Sequence, residues 1–225
     1  MPNNQASSHE QTLLISYLTL RKWVGFLGIL LSFVLMTGSR IFDQCTQYQP
    51  SISHYYYSIM GNYFVGTLCA VALFLFSYKG YDRIDNITGN LAAVFAILVA
   101  FFPTDADSNS LCQFIRTSRK NSVNYIHYTS AALLFSSFAF FSLFLFTKSS
   151  DKKAKTSRKK IRNRLYIICG IIILACIILL GAYHLFENSL PGLEKYKPVL
   201  VLESTALIAF GTSWIIKGES LLKDK

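Results

Sequence analysis

Residues Asn163 to Phe186 read NRLYIICGIIILACIILLGAYHLF, and no charged side chain follows Arg164 in this run. A hydrocarbon core of about 30 Å takes roughly 20 apolar helical residues to cross. Lipid offers no partner to backbone amides and carbonyls, so a chain crosses it only as a helix or as a closed barrel. The run lacks the alternating polarity of a barrel strand. It therefore predicts a transmembrane helix.

Five further runs of similar character lie along the chain. Of its 225 residues, 52% are hydrophobic and 15% are charged, whereas soluble domains carry about a quarter charged residues. Pro103 marks the end of the third run, because proline removes a backbone donor from a helix. We expect an all-α polytopic membrane protein, one bundle of six transmembrane helices over 23–39, 59–78, 89–103, 124–147, 163–186 and 198–216.

The predicted domain plan is a polar segment over 1–22, the transmembrane domain over 23–217 and a tail over 218–225. Arg21 and Lys22 precede the first apolar run, as in a signal peptide or a retained signal anchor. Because the leader is long and five more runs follow, we expect a retained anchor.

The distribution of Lys and Arg predicts the orientation, since basic loops stay in the cytoplasm. With the N-terminus inside, 16 of the 22 Lys and Arg residues lie on inner segments and 6 on outer ones. Nine of the inner ones belong to the loop 148–164. We expect a multi-pass protein of the bacterial inner membrane with both termini cytoplasmic.

The same loop explains the net charge of +10. Aromatic residues do not interleave its basic side chains, so we expect no nucleic-acid partner. Membrane lipids are the expected partners, with anionic headgroups at the loop 148–164. A loop that serves only to set the orientation is the alternative.

The five cysteines divide by predicted compartment. Cys45 and Cys112 lie in the two outer loops, where an oxidising exterior favours a Cys45–Cys112 disulfide over two free thiols. The other three lie within spans and behave as small apolar residues: Cys69, Cys169 and Cys176. No zinc-ligand spacing occurs, so we expect no metal and no cofactor.

Polar residues gather where the outer ends of the predicted spans meet. An ionisable side chain inside a span faces other helices and has a partner, so we expect Glu203 to be protonated or paired with Arg40 or His127. The candidate catalytic residues are His127, Asp105 and Glu203, and the candidate ligand-binding residues are Ser53, His54, Asn62 and Arg40.

Two further expectations concern surfaces. The run Tyr55-Tyr56-Tyr57 is typical of an interfacial aromatic belt. Asn62, Gly66 and Ala70 recur every four residues, as do His127 and Ala131, and such stripes let helices pack closely. They predict packed faces that carry Asn62 and His127.

Three short motifs stand near span ends: Ser51-Ile52-Ser53, Phe102-Pro103-Thr104-Asp105, and His127 with Ala131. In these the chain resembles the bacterial membrane family called domain of unknown function 998. Its six-helix plan, with a histidine in the fourth helix and an acid early in the sixth, is similar to the Frag1/DRAM/Sfk1 group. The first resemblance implies a membrane protein without assigned chemistry, and the second implies roles in lipid organisation or membrane trafficking. Ser53, Asp105 and His127 are the motif positions carried over.

Two functions follow from this cluster. The first is an uncharacterised membrane protein whose outer-facing polar pocket binds a lipid or small amphiphile. The second is a membrane hydrolase or transferase with His127 as base and Asp105 or Glu203 as its orienting group or metal ligand. A transporter and a scaffold that presents the basic loop are weaker alternatives. A zinc centre of His54, His127 and His184 would not match the histidine pattern of membrane hydrolases of the alkaline ceramidase type.

Overall fold

The computed structural model describes residues 4–42, 46–80, 82–106, 121–148 and 157–218, with side chains of α1 described from Tyr17 onward. Within those ranges every regular element is a helix, as predicted. Six α-helices are formed: α1 (Asn4–Phe42), α2 (Gly61–Phe76), α3 (Arg83–Phe101), α4 (Asn121–Phe140), α5 (Ser157–Phe186) and α6 (Pro198–Lys217). The predicted Cys45–Cys112 disulfide lies outside the described residues.

Four short helical elements lie in the described part of the chain as well. A π-helical turn, Phe141–Leu145, continues α4, and single 3₁₀ turns cover Ser53–Tyr57, Glu187–Ser189 and Glu194–Tyr196. The Ser53–Tyr57 turn lies in the connection between α1 and α2, beside the first turns of α4 and α6.

Five of the helices are long and apolar enough to cross a membrane, and α2 is a shorter apolar helix. The 16 residues of α2 rise about 24 Å at 1.5 Å each. The regular structure in the described part of the chain is therefore all helical, with several helices long and apolar enough to span a membrane. The long α1 begins at Asn4, within the segment predicted to be a polar leader.

Local sequence explains where the helices begin and end. Asp82 caps α3, because its side chain accepts from the Asp85 amide while the Asp85 side chain accepts from the Asp82 amide. Pro198 occupies the first turn of α6, where its missing N–H is no loss. At its other end α3 stops at Phe101, two residues before Pro103 as the sequence indicates.

The six helices form a ring in chain order, each packed against the next, and α6 closes the ring against α1. These two helices approach closely at Gly25 and Gly211, where a Cβ on either residue would collide with the carbonyl oxygen of the other. Aromatic rings fill the interior, with Phe138 and Phe210 stacked at a centroid distance of 3.7 Å and Trp214 fully buried.

The ring of helices has two ends. The terminal face carries Arg21, Tyr78, Lys148 and Lys217, near the start of the membrane-spanning part of α1 and the end of α6. The distal face carries Arg40, Ser53, His127 and Glu203. The outer surface between them exposes large apolar side chains, such as Leu73, Ile171, Ile178 and Val201.

Candidate functional site

A serine and a histidine meet at the centre of the distal face. Ser53 opens the 3₁₀ turn and His127 lies in the second turn of α4. The Ser53 Oγ is 3.0 Å from the His127 Nε2. Both side chains are buried, with 7% of Ser53 and 2% of His127 exposed. The sequence predicts both residues at the site but not their direct contact.

The other ring nitrogen determines how this hydrogen bond runs. The His127 Nδ1 is 2.7 Å from the backbone oxygen of Phe102, at the end of α3. A carbonyl oxygen only accepts, so Nδ1 carries the proton and donates it. In the neutral ring Nε2 is then an acceptor, and the Ser53 hydroxyl donates to it.

Glu203 joins the same assembly from α6. Its Oε2 accepts the backbone N–H of Ile52 at 2.7 Å, and the Ser53 backbone also hydrogen-bonds the carboxyl group. Nearby, the Leu200 amide donates to the Pro50 carbonyl at 3.1 Å. The start of α6 thereby holds the 3₁₀ turn, and with it Ser53, against α4. We call Ser53, Phe102, His127 and Glu203 the Ser53–His127 network.

Tyrosines enclose this network. The Tyr57 hydroxyl donates to the Thr104 carbonyl at 2.5 Å, and the Thr104 hydroxyl pairs with that of Tyr128 at 2.9 Å. Burial raises the pKa of Tyr55 to about 12. Tyr55 and Tyr57 are each only 1% exposed, so the expectation of an interfacial aromatic belt is wrong for these two residues.

Glu203 does not pair with either predicted partner, Arg40 or His127, and the alternative expectation of a protonated carboxyl group stays a prediction. The Arg40 guanidinium donates to the Thr46 carbonyl at 3.3 Å and stacks on Tyr48, whereas Glu203 bonds backbone amides of the 3₁₀ turn. The 3₁₀ turn lies between α6 and α4 and supplies the donors that the sequence could not reveal.

Asp105 does not orient His127. Its carboxylate accepts from the Asn124 side chain, one turn before His127 on α4. The Phe102 carbonyl occupies the orienting position instead, because α3 ends there and leaves that oxygen without a helical partner. Asp105 thus fixes the start of α4 rather than the imidazole.

Two other predicted ligand residues lie apart from the network. His54 pairs through Nδ1 with the Ser51 hydroxyl at 2.6 Å. Asn62 is exposed, and a Cβ at Gly66 would meet nothing within 4 Å, so the predicted small-residue stripe of α2 faces outward. The packed face of α2 instead carries Phe64, Leu68, Val71 and Leu75. A four-residue period identifies a stripe but not the side on which the neighbouring helix lies.

The three distal histidines hold separate positions. His184 is exposed, and its ring lies 6.0 Å from that of Tyr128, while His54 and His127 have the serine partners given above. Among the residues that the structure describes, no group of three or more His, Cys, Asp or Glu residues is arranged to hold a metal ion.

A second buried polar region, on the terminal face, escaped the sequence analysis. Lys148 bridges Asp82 and Asp85 at 2.8 and 3.1 Å. The hydrogen bond from Lys148 holds the pKa of Asp82 below its usual value, and the hydrogen bond to Asp82 raises the pKa of Lys148. Asp85 is fully buried, and Arg21 and Lys217 are less than a tenth exposed.

Charged residues beside the ends of spans are expected from the orientation in the membrane alone. For that reason they did not indicate a buried polar region. Two signals were present: the Asp82–Asp85 spacing of a capping box, and Lys217 in the last turn of an otherwise apolar helix.

The comparisons with known proteins return no match: no family model, curated protein or solved structure is similar to this chain. The function is therefore inferred from the residues of the site itself.

Proposed function

We propose that this protein crosses the bacterial inner membrane six times, with both termini cytoplasmic, and binds the head of a lipid or small amphiphile at its distal face. We also propose that the chain is related to the family called domain of unknown function 998 and to the Frag1/DRAM/Sfk1 group. One observation supports the proposed binding at the distal face. The Ser53–His127 network joins α3, α4, α6 and the 3₁₀ turn by hydrogen bonds at one end of a bundle whose outer surface is apolar.

Tyr128 supports this proposal because it connects the buried network to the surface. It is 51% exposed, and its ring contacts His127 at 5.7 Å and His184 at 6.0 Å. Beside it, α4 and α5 expose apolar side chains such as Ile126 and Ile178. An amphiphile lying along α4 and α5 would place its head at Tyr128 and His184 and its chain against the apolar surface.

Native mass spectrometry of protein extracted in polymer nanodiscs tests the proposal. We expect about one retained lipid or amphiphile per wild-type chain, and its loss from Tyr128→Ala and His127→Ala. Asn62→Ala is the matched control, because Asn62 is an exposed polar residue of the same face outside the network. An unchanged set of lipids in all four proteins contradicts the proposal, provided that each variant elutes as a folded species.

Acyl transfer is the second candidate, and the direction of the hydrogen bonds favours it. A serine hydroxyl that donates to a neutral imidazole, itself held through its other nitrogen, is the arrangement of an activated nucleophile. Here a backbone carbonyl stands where serine hydrolases have a carboxylate. Ser53 Oγ would form a bond to an ester carbonyl carbon as its proton passes to His127 Nε2. The alcohol would leave with that proton, and water would release the acyl group and restore Ser53.

A fluorophosphonate probe distinguishes this candidate from binding alone. Activated serines displace its fluoride, so we expect labelling of Ser53 that disappears in Ser53→Ala and His127→Ala. Ser58→Ala is the control, since the Ser58 hydroxyl donates to the Tyr55 carbonyl and not to a histidine. Absence of labelling in the folded wild-type protein leaves amphiphile binding without catalysis.

A further inference from the structure

Buried cations cluster on the terminal face, far from the Ser53–His127 network. Arg21 of α1 is 8% exposed and Lys217 of α6 is 9% exposed. The two side chains repel each other, and Lys159 and Arg162 of α5 add to the repulsion on Lys217, while Asp85 attracts it. Asp85 also accepts from Lys148 at 3.1 Å. Positive charge therefore exceeds negative charge among these residues.

An aromatic cage surrounds the two cations. The Arg21 guanidinium lies 4.3 Å from the ring centre of Tyr17 and 5.4 Å from that of Tyr78. The Lys217 Nζ lies 5.4 Å from the ring centre of Phe146. Trp214 joins the two halves, with centroid distances of 5.2 Å to Tyr78 and 5.3 Å to Phe146. Rings and cations thus form one continuous cluster.

Three hydrogen-bonding groups in this cluster are buried without a protein partner in the described part of the chain: the Arg21 Nε, the Trp214 indole nitrogen and the Tyr17 hydroxyl. Trp214 is fully buried. Buried donors are normally satisfied, and one left alone costs free energy. All three groups can donate, and they come from two adjacent helices around an excess of positive charge.

We propose that this cluster, between α1 and α6 on the terminal face, binds a phosphate group. A phosphate offers several acceptor oxygens to donors from different directions, and the arginine fork matches its geometry. A small carboxylate offers only two oxygens and would satisfy these donors, which approach from different directions, less well. The phosphate belongs either to a lipid headgroup, since the cluster lies near the end of membrane-spanning helices, or to a soluble phosphate compound. The site is separate from the one proposed above, so each can fail without the other.

Calorimetric titration of the full-length protein in an uncharged detergent tests this site. The probes are dihexanoyl phosphatidic acid, inorganic phosphate, and dihexanoyl phosphatidylcholine for comparison, all at one ionic strength. We expect saturable binding of phosphatidic acid that exceeds binding of phosphatidylcholine. Equal binding of inorganic phosphate identifies a soluble ligand, and binding of phosphatidic acid alone identifies a lipid. If neither phosphatidic acid nor inorganic phosphate gives a heat of binding, the proposal is wrong.

Variants locate the binding to the cluster. We expect Arg21→Gln to weaken phosphate binding about tenfold or more, because it removes a charge-assisted hydrogen bond. Tyr17→Phe removes one donor and keeps the ring, and Trp214→Phe removes one donor and leaves a smaller aromatic ring. Each should weaken phosphate binding several-fold without loss of folding. Lys79→Gln is the matched control, an exposed cation of the same face. The proposal is also wrong if Lys79→Gln weakens phosphate binding as much as Arg21→Gln does. It is equally wrong if none of the three cluster variants weakens that binding.

Discussion

At the scale of single residues, the backbone carbonyl of Phe102 determines the chemistry of the distal face. It accepts the Nδ1 proton of His127 at 2.7 Å, which leaves Nε2 to accept from Ser53 at 3.0 Å. Glu203 then holds the turn that carries Ser53. Each member of the network is therefore positioned by a different element, and the loss of one affects the others.

Ser53→Ala should lower the free energy of unfolding by about 1–3 kcal/mol, because the buried His127 Nε2 loses its donor. Ser137→Ala is the control: its hydroxyl bonds the Leu133 carbonyl within α4, and its loss should cost much less. Thermal unfolding in detergent measures both. Equal stabilities of the two variants would show that the Ser53–His127 bond does not stabilise the protein.

The Asp82–Lys148 pair predicts a dependence on pH. Lys148 lowers the pKa of Asp82 from 3.8, so this carboxylate stabilises the fold above its unfolded pKa. That contribution is lost as the pH falls through the lowered value. The Lys148 pKa is raised from 10.5, so its contribution is present below 10.5 and is lost as the pH rises through the folded value.

Asp82→Asn isolates the charge, since asparagine caps helices as well as aspartate does. The wild type should melt above the variant near neutral pH, and the difference should shrink as the pH falls below 3.8 and through the lowered pKa of Asp82. A difference that stays constant as the pH falls well below 3.8 would mean that the charge is not its cause.

Single residues also show which features of the site could be predicted from the sequence and which could not. The sequence identified His127 and Glu203 because polar side chains in apolar runs need partners, and Ser53 because the first outer loop joins the same ends of the spans. It did not find the partners, which are mostly backbone groups of the 3₁₀ turn and of the end of α3 and carry no side-chain signature. Asn62 was misassigned for a related reason, since periodicity alone does not say which side of α2 is packed.

At the scale of elements, the lengths of apolar runs predicted the helices well, and α6 begins at Pro198 as expected. The main differences are at the starts of three helices: α1 begins at Asn4, α3 at Arg83 and α5 at Ser157, whereas the predicted spans begin at 23, 89 and 163. Polar residues near the start of α1 did not end the helix, because apolarity defines the membrane-crossing part and not the helix itself.

The α1–α6 contact depends on two glycines. In Gly211→Ala the new methyl group meets the Gly25 carbonyl oxygen and the Ile29 side chain, so we expect a loss of about 1–3 kcal/mol. Gly66→Ala is the control on α2, where nothing lies within 4 Å, and it should be neutral or stabilising by roughly 0.5–1 kcal/mol. Thermal melts compare them; a Gly211→Ala protein as stable as wild type would exclude this close contact.

At the scale of the whole molecule, the ring of helices separates two polar regions. The Ser53–His127 network occupies the distal face and the cluster around Arg21 and Lys217 the terminal face, with a core of rings such as Phe138 and Phe210 between them. The sequence predicted the first region and the excess of basic residues around the second. It could not show that Arg21 and Lys217 are buried together, because they are 196 residues apart.

The proposed orientation is tested by labelling whole cells with a membrane-impermeant maleimide in a cysteine-free background. Lys195→Cys, exposed on the distal face, should react, and Lys79→Cys, exposed on the terminal face, should react only after the cells are opened. The reverse pattern would invert the orientation. Reaction of both positions in intact cells would exclude the six-span topology.

The most direct test of the account is ¹⁵N NMR of histidine-labelled protein, with the His127 signals assigned from their loss in His127→Gln. We predict a neutral ring with the proton on Nδ1, and a shift of Nε2 but not of Nδ1 in Ser53→Ala. A proton on Nε2, a ring protonated on both nitrogens at neutral pH, or signals that Ser53→Ala leaves unchanged would contradict the network on which the distal site depends.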